Sequence, residues 1–146
     1  MRKSLPIVLA GALLASAGVA SAHENHAHGD HAAPSAAQVR GEARLAKIVE
    51  GRTAGAPEDC IVLQQISSTE VVDGTAIVYR MNNGTIYVNR PPAGASFLRR
   101  DVVLVTDTHS PNLCGVDIVR LLDQGSRMSA GSVGLGKFIP YPRPAR

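Results

Sequence analysis

The chain of 146 residues carries only two cysteines, and what it lacks narrows its chemistry. There is no Cys-x-x-Cys for thiol exchange and no second cysteine pair for a structural zinc site. No Gly-x-Ser-x-Gly nucleophile elbow occurs. The glycine-rich stretch from Gly131 to Gly136 lacks the spacing and the following helix of a nucleotide loop. A Ser-His-Asp set can be assembled on paper from Ser110 or Ser126, His109, and Asp107 or Asp117, but any chain of this size offers such combinations. No internal repeat is visible, and no catalytic activity is expected.

Long apolar runs are equally scarce. The one present, Leu5 to Ala20, is shorter than the roughly 20 residues of a membrane span. It follows the basic Met1-Arg2-Lys3 and ends in Ala20-Ser21-Ala22. A positive start, a short apolar core and small residues before the cut are the parts of a cleavable signal peptide, expected over residues 1–22. The first cysteine is Cys60, so a lipid-anchored product is not expected, and no membrane anchor is expected after signal cleavage. Its compartment is then periplasmic or secreted.

Cleavage also removes most of the charge. The precursor stands at +3; without Arg2 and Lys3 the mature chain has 13 Lys and Arg against 12 Asp and Glu, or +1. That is too little to argue for nucleic acid or an anionic membrane as partner. Arg99-Arg100 and the Arg143 and Arg146 tail read as solvated surface, and no partner is identified.

In an oxidising compartment Cys60 and Cys114 are expected to form a structural disulfide. They stand 54 positions apart, a closure worth on the order of 4 kcal/mol in the chain-entropy account.

Residues 23–34, His-Glu-Asn-His-Ala-His-Gly-Asp-His-Ala-Ala-Pro, contain no large apolar side chain and predict a disordered leader. Residues 35–146 then predict a single, mainly β domain with a Pro-rich tail. Ser35 and Gln38 form the sequence of a capping box, opening a helix over 36–50 with Leu45, Ile48 and Val49 on one stripe. Gly41 weakens it by about 1 kcal/mol relative to Ala.

Strand signals follow. Cys60 to Leu63 is a short β-branched run, and Asp73-Gly74 and Asn83-Gly84 sit inside runs that predict a three-stranded meander over 66–89. A two-residue turn at Asn83-Gly84 would pair Met81 with Ile86 and Tyr79 with Val88, with Arg80 beside Tyr87 on a mixed face. Pro91-Pro92 ends the meander. Val102–Val105 and Val116–Leu122 predict further strands, the second over a helix on its Val and Ile content, and Val133–Ile139 a last, bent one. Pro140 to Pro144 is an extended tail. The sum is five to seven short antiparallel strands in a sandwich or open barrel, with one N-terminal helix and one disulfide.

Several segments together carry a resemblance. They are Arg44 to Arg52, Asp59-Cys60, Asp73 to Tyr79, Tyr87 to Pro91, Leu113-Cys114 and Gly134 to Tyr141. They resemble a family of small, uncharacterised exported proteins of Gram-negative bacteria. The resemblance spans residues 44–141, leaves the leader out, and implies export and a single domain. It transfers no functional residue.

The leader holds the densest chemistry: His23, His26, His28 and His31, with Glu24 and Asp30 among them. Imidazole suits Cu(II), Ni(II) and Zn(II), and near neutral pH most such rings are unprotonated. A cut after Ala22 leaves His23 first, its amine and ring able to chelate copper together. A cut after Ala20 leaves Ser21-Ala22-His23, with His third, an arrangement suited to square-planar Cu(II). The plainer reading is a solubilising segment. Ordering so flexible a tract costs about 1–2 kcal/mol per residue fixed, so affinity should be moderate and selectivity poor.

Overall fold

The computed structural model describes residues 33–108 and 110–145. The signal segment 1–22, the histidines at 23, 26, 28 and 31, and His109 lie outside the described residues.

Helix α1 spans Ala36–Ile48. The capping box forms: Ser35 N–H donates to Gln38 Oε1 at 2.7 Å, and Gln38 N–H donates to Ser35 Oγ at 3.2 Å. Leu45 is buried and Ile48 and Val49 are half-buried, so the apolar stripe is the docking face. The helix stops two residues short of 50, with Val49 as C-cap and Gly51 in a left-handed turn at φ 71°.

Nine antiparallel strands follow among the described residues: β1 Cys60–Val62, β2 Ile66–Val72, β3 Ala76–Met81, β4 Ile86–Asn89, β5 Val102–Thr106, β6 Asn112–Cys114, β7 Ile118–Asp123, β8 Ser129–Gly134 and β9 Phe138–Tyr141. They form a four-stranded sheet in the order β2-β3-β4-β9, a three-stranded sheet β5-β7-β8, and a ribbon β1-β6. The mainly β domain with one helix and one disulfide is as the sequence implies. The strand count exceeds seven because β6 is only three residues long and the last expected strand divides.

That division is one correction to the sequence reading. Val133–Ile139 is not one bent strand: β8 pairs with β7 and β9 with β4, so the chain changes sheets between Gly134 and Phe138. Pro140 belongs to β9 rather than to the tail, and it is tolerated there because β9 is an edge strand.

The hairpin register is a second correction. Tyr79 pairs with Tyr87, Val78 with Val88, and Arg80 with Ile86, one residue from the expected alignment. The turn has three residues, Asn82-Asn83-Gly84, not two. Gly84 N–H donates to Met81 O at 2.9 Å, and Met81 N–H to Thr85 O at 2.9 Å. Gly84 alone in this turn has positive φ, 84°, whereas a type I′ turn needs it at both central residues.

The one-residue shift moves side chains between faces, and both faces prove to be covered. Val72, Ala76, Val78, Ile86 and Val88 pack beneath α1 around Leu45. Val71, Ile77, Tyr79 and Met81 join Phe138 and residues of the other two sheets, Val119, Leu121 and Leu113 among them, in the main core. Tyr79 and Phe138 meet edge to face with centroids 5.7 Å apart. Asn89, fully buried, exchanges two hydrogen bonds with Gly136, donating to its carbonyl at 2.6 Å and accepting from its N–H at 3.1 Å. The amide thus satisfies both of its polar ends while tying β4 to the β8–β9 crossover.

Candidate functional site

Strands β2 and β5 are each the end strand of their sheet, and a groove of 560 Å³ opens between them. Its walls include the consecutive residues Thr69, Glu70 and Val71 of β2, and Val102, Val103 and Leu104 of β5. Side chains alternate across a strand, so a run of consecutive residues lines a groove only where the strand presents its backbone edge. Tyr79, Leu63 and Leu113 also line it, with Tyr79 and Leu113 drawn from the main core.

Both ends of this seam are stitched. At one end Gly74 N–H donates to Leu98 O at 2.9 Å, and Asp73 accepts from Arg100 twice, from its N–H at 2.8 Å and from Nε at 2.9 Å. At the other, Leu63 N–H donates to Pro111 O at 2.9 Å beside the β1–β6 ribbon. There Cys60 and Cys114 face each other directly and are joined in the disulfide the sequence implies. Between the stitches neither edge pairs with a further strand among the described residues. An antiparallel strand points alternate N–H and C=O groups away from its one partner, so each edge leaves backbone donors and acceptors open to the groove.

The two edges differ. The β2–β3 ladder shifts register between Ile66 and Ser68, and this irregularity interrupts the regular edge of β2. The β5–β7 ladder runs without a shift from Val102 to Thr106, and the β5 edge carries neither Pro nor Lys.

Charge gathers at the Arg100 end. Arg100 lines the groove and two further depressions, one of 400 Å³ against α1 and one of 890 Å³ beside the start of α1 and the β2–β3 turn. Arg40, Arg44 and Lys47 lie at i, i+4 and i+7, one face of a helix, and all three line the 400 Å³ depression with Arg100. Glu70 accepts from Arg44 at 2.7 and 2.9 Å and from Arg80 at 3.2 Å. Burial pushes the Glu70 carboxyl up, but the hydrogen bonds and charges of the two arginines outweigh that and hold it below its ordinary value. Arg40 and Lys47 have no ion-pair partner among the described residues. Burial pushes the Tyr79 phenol far up, so it stays protonated and neutral at physiological pH.

The serines and aspartates of the paper triad make other contacts, and His109 lies outside the described residues. Ser110 Oγ donates to Asn112 O at 2.8 Å, and Ser126 Oγ to Asp123 Oδ1 at 2.9 Å, both closing turns. Asp117 accepts from Cys114 N–H at 2.7 Å, and Asp107 stands 4.0 Å from Arg120. Among the described residues no cluster of three or more His, Cys, Asp or Glu is placed to hold a metal. The histidine cluster of the leader lies outside them.

Arg99 and Arg100 are exposed, as the sequence implies, and they also make ion pairs: Arg100 anchors the seam through Asp73, and Arg99 stands 3.1 Å from Asp101 and 3.6 Å from Asp123. The basic spacing along α1 was readable; that it would meet Arg100 depended on a pairing 27 residues away.

No family model, curated protein or solved structure matches this chain.

Proposed function

We propose that the protein is an exported, disulfide-braced binding module without catalytic chemistry, which takes an extended segment of another protein as an added strand on β5. The observation that carries the reading is the seam: two strand edges left unpaired among the described residues across one groove, which two core side chains also line. Open edges are usually blunted by Pro, charge or bulges, and β5 has none of these along Val102–Thr106. Main-chain hydrogen bonds to such an edge supply affinity and the flanking wall supplies fit. Export is supported by the signal-like residues 1–22, by the disulfide and by the family resemblance.

Titrating the 15N-labelled protein with a short, capped, neutral peptide of alternating Val and Thr tests this. The expected result is amide shifts and slowed hydrogen exchange concentrated at Val102–Thr106. Shifts confined to other surfaces, or none at millimolar peptide, would reject it.

A second reading rests on the leader: four histidines within nine residues form a low-selectivity site for Cu, Ni or Zn. The two readings use different parts of the chain and do not compete.

A further inference from the structure

Resting on the strand-addition reading, we infer that the segment bound along β5 is acidic at the end lying beside Val102. Arg100 stands two residues before that end of β5, and the groove there runs into the depression lined by Arg40, Arg44 and Lys47. Arg80 lines neither, and its charge goes to Glu70. Against these stand the carboxylates of Glu70 and Asp73, already engaged by Arg44, Arg80 and Arg100, and those of Asp101 and Asp123 beside Val102, both engaged by Arg99, so that Arg40 and Lys47 are the charges left over among the described residues.

The balance is a local excess of positive charge in a chain whose mature form is nearly neutral, and it sits at one mouth of the groove rather than along it. The Asp73 bonds occupy only the main-chain nitrogen and Nε of Arg100, which leaves the terminal nitrogens of the guanidinium as donors. A carboxylate arriving there meets Arg100, with Arg40 and Lys47 supplying further unpaired charge. A basic segment would meet repulsion from the same groups. The mouth therefore selects among peptides by charge, while the β5 edge binds any extended one.

The experiment compares three capped peptides on the full mature protein: the neutral Val-Thr probe, the same probe carrying a Glu pair at one end, and the same carrying a Lys pair. The Glu peptide is expected to bind about tenfold tighter than the neutral one and the Lys peptide weaker, with the difference shrinking at about 0.5 M salt. In the double variant Arg40→Glu, Lys47→Glu the order should reverse. Both side chains are outside the ion pairs that hold the fold, so that variant should keep its melting temperature. Equal affinity of all three peptides, with shifts still at Val102–Thr106, would overturn the charge selection and leave strand addition standing. No shift at β5 with any of the three would overturn both.

Discussion

Helix α1 approaches the β2–β3 turn most closely at Gly41. A Cβ built there would lie 2.0 Å from Thr75 Oγ1 and 2.6 Å from the Asp73 carbonyl. Glycine in a helix costs about 1 kcal/mol relative to alanine, so propensity alone favours Gly41→Ala. Overlap with backbone typically costs 1–3 kcal/mol, and here it also displaces the turn that anchors Arg100. The substitution should therefore lower the melting temperature, a net loss of up to about 2 kcal/mol by thermal or urea unfolding. A stabilised variant would show that the helix is not seated on the turn.

Glu70 and Glu42 set the acid limb at the same scale. Both carboxyls are held below the ordinary value of 4.5 by arginines, Glu42 through its hydrogen bonds to Arg90 and Glu70 through Arg44 and Arg80. A carboxyl whose folded pKa is depressed contributes stability that is present above its unfolded value and lost as pH falls through the lowered one. Stability should thus decline below about pH 4.5. Glu70→Gln should be less stable than the parent at pH 7 and converge with it at pH 3, with a modest difference because these pairs are partly exposed. Parallel pH curves for the two proteins would contradict the assignment.

The ribbon β1–β6 is too short to hold itself. It has three residues on each side, and its covalent closure joins directly opposed cysteines. It also forms one stitched end of the seam. Replacing Cys60 and Cys114 with Ser should cost about 2–5 kcal/mol and loosen that end first. The check is urea unfolding together with hydrogen exchange, where β1 and β6 amides should lose protection before those of β3 and β4. Unchanged exchange in the ribbon would show that packing by Ile61 and Leu113 alone suffices.

The helix, its capping box and the meander were legible in the sequence because local pattern decides each of them, and the disulfide because the chain has only two cysteines to pair. Ser35 and Gln38 are three apart, and Asp73-Gly74 lies between β-branched runs. The register of the β3–β4 hairpin was not. Asn-Gly serves two-residue and three-residue turns, and only the φ of Asn83, which is not positive, separates them. Strand β6 and the change of sheets before Phe138 escaped for a related reason: partners far along the chain fix them, Cys60 for one and Tyr87 to Asn89 for the other. The candidate site was legible only as scattered arginines, because tertiary pairing assembles it.

At the scale of the whole molecule, the proposed peptide site and the proposed metal site lie on different parts of the chain, the domain from residue 35 and the histidines at 23–31. The mature N-terminus is expected at His23, and the leader should bind Cu(II) more tightly than Zn(II). Binding should weaken as pH falls through about 6.5, where imidazole gains its proton. A chain beginning at Ser35 should lose copper binding by calorimetry while keeping the melting temperature of the full protein. Retained copper affinity in the shortened chain would move the site into the domain.

Whether β5 accepts a strand is decided by backbone N-methylation of the bound peptide. Only every second amide of a paired strand donates to its neighbour. Methylating the peptide nitrogens one at a time should therefore give a period-two pattern, with alternate positions losing most of the binding and those between retaining it. Equal losses at every position, or none at any, would contradict strand addition at Val102–Thr106.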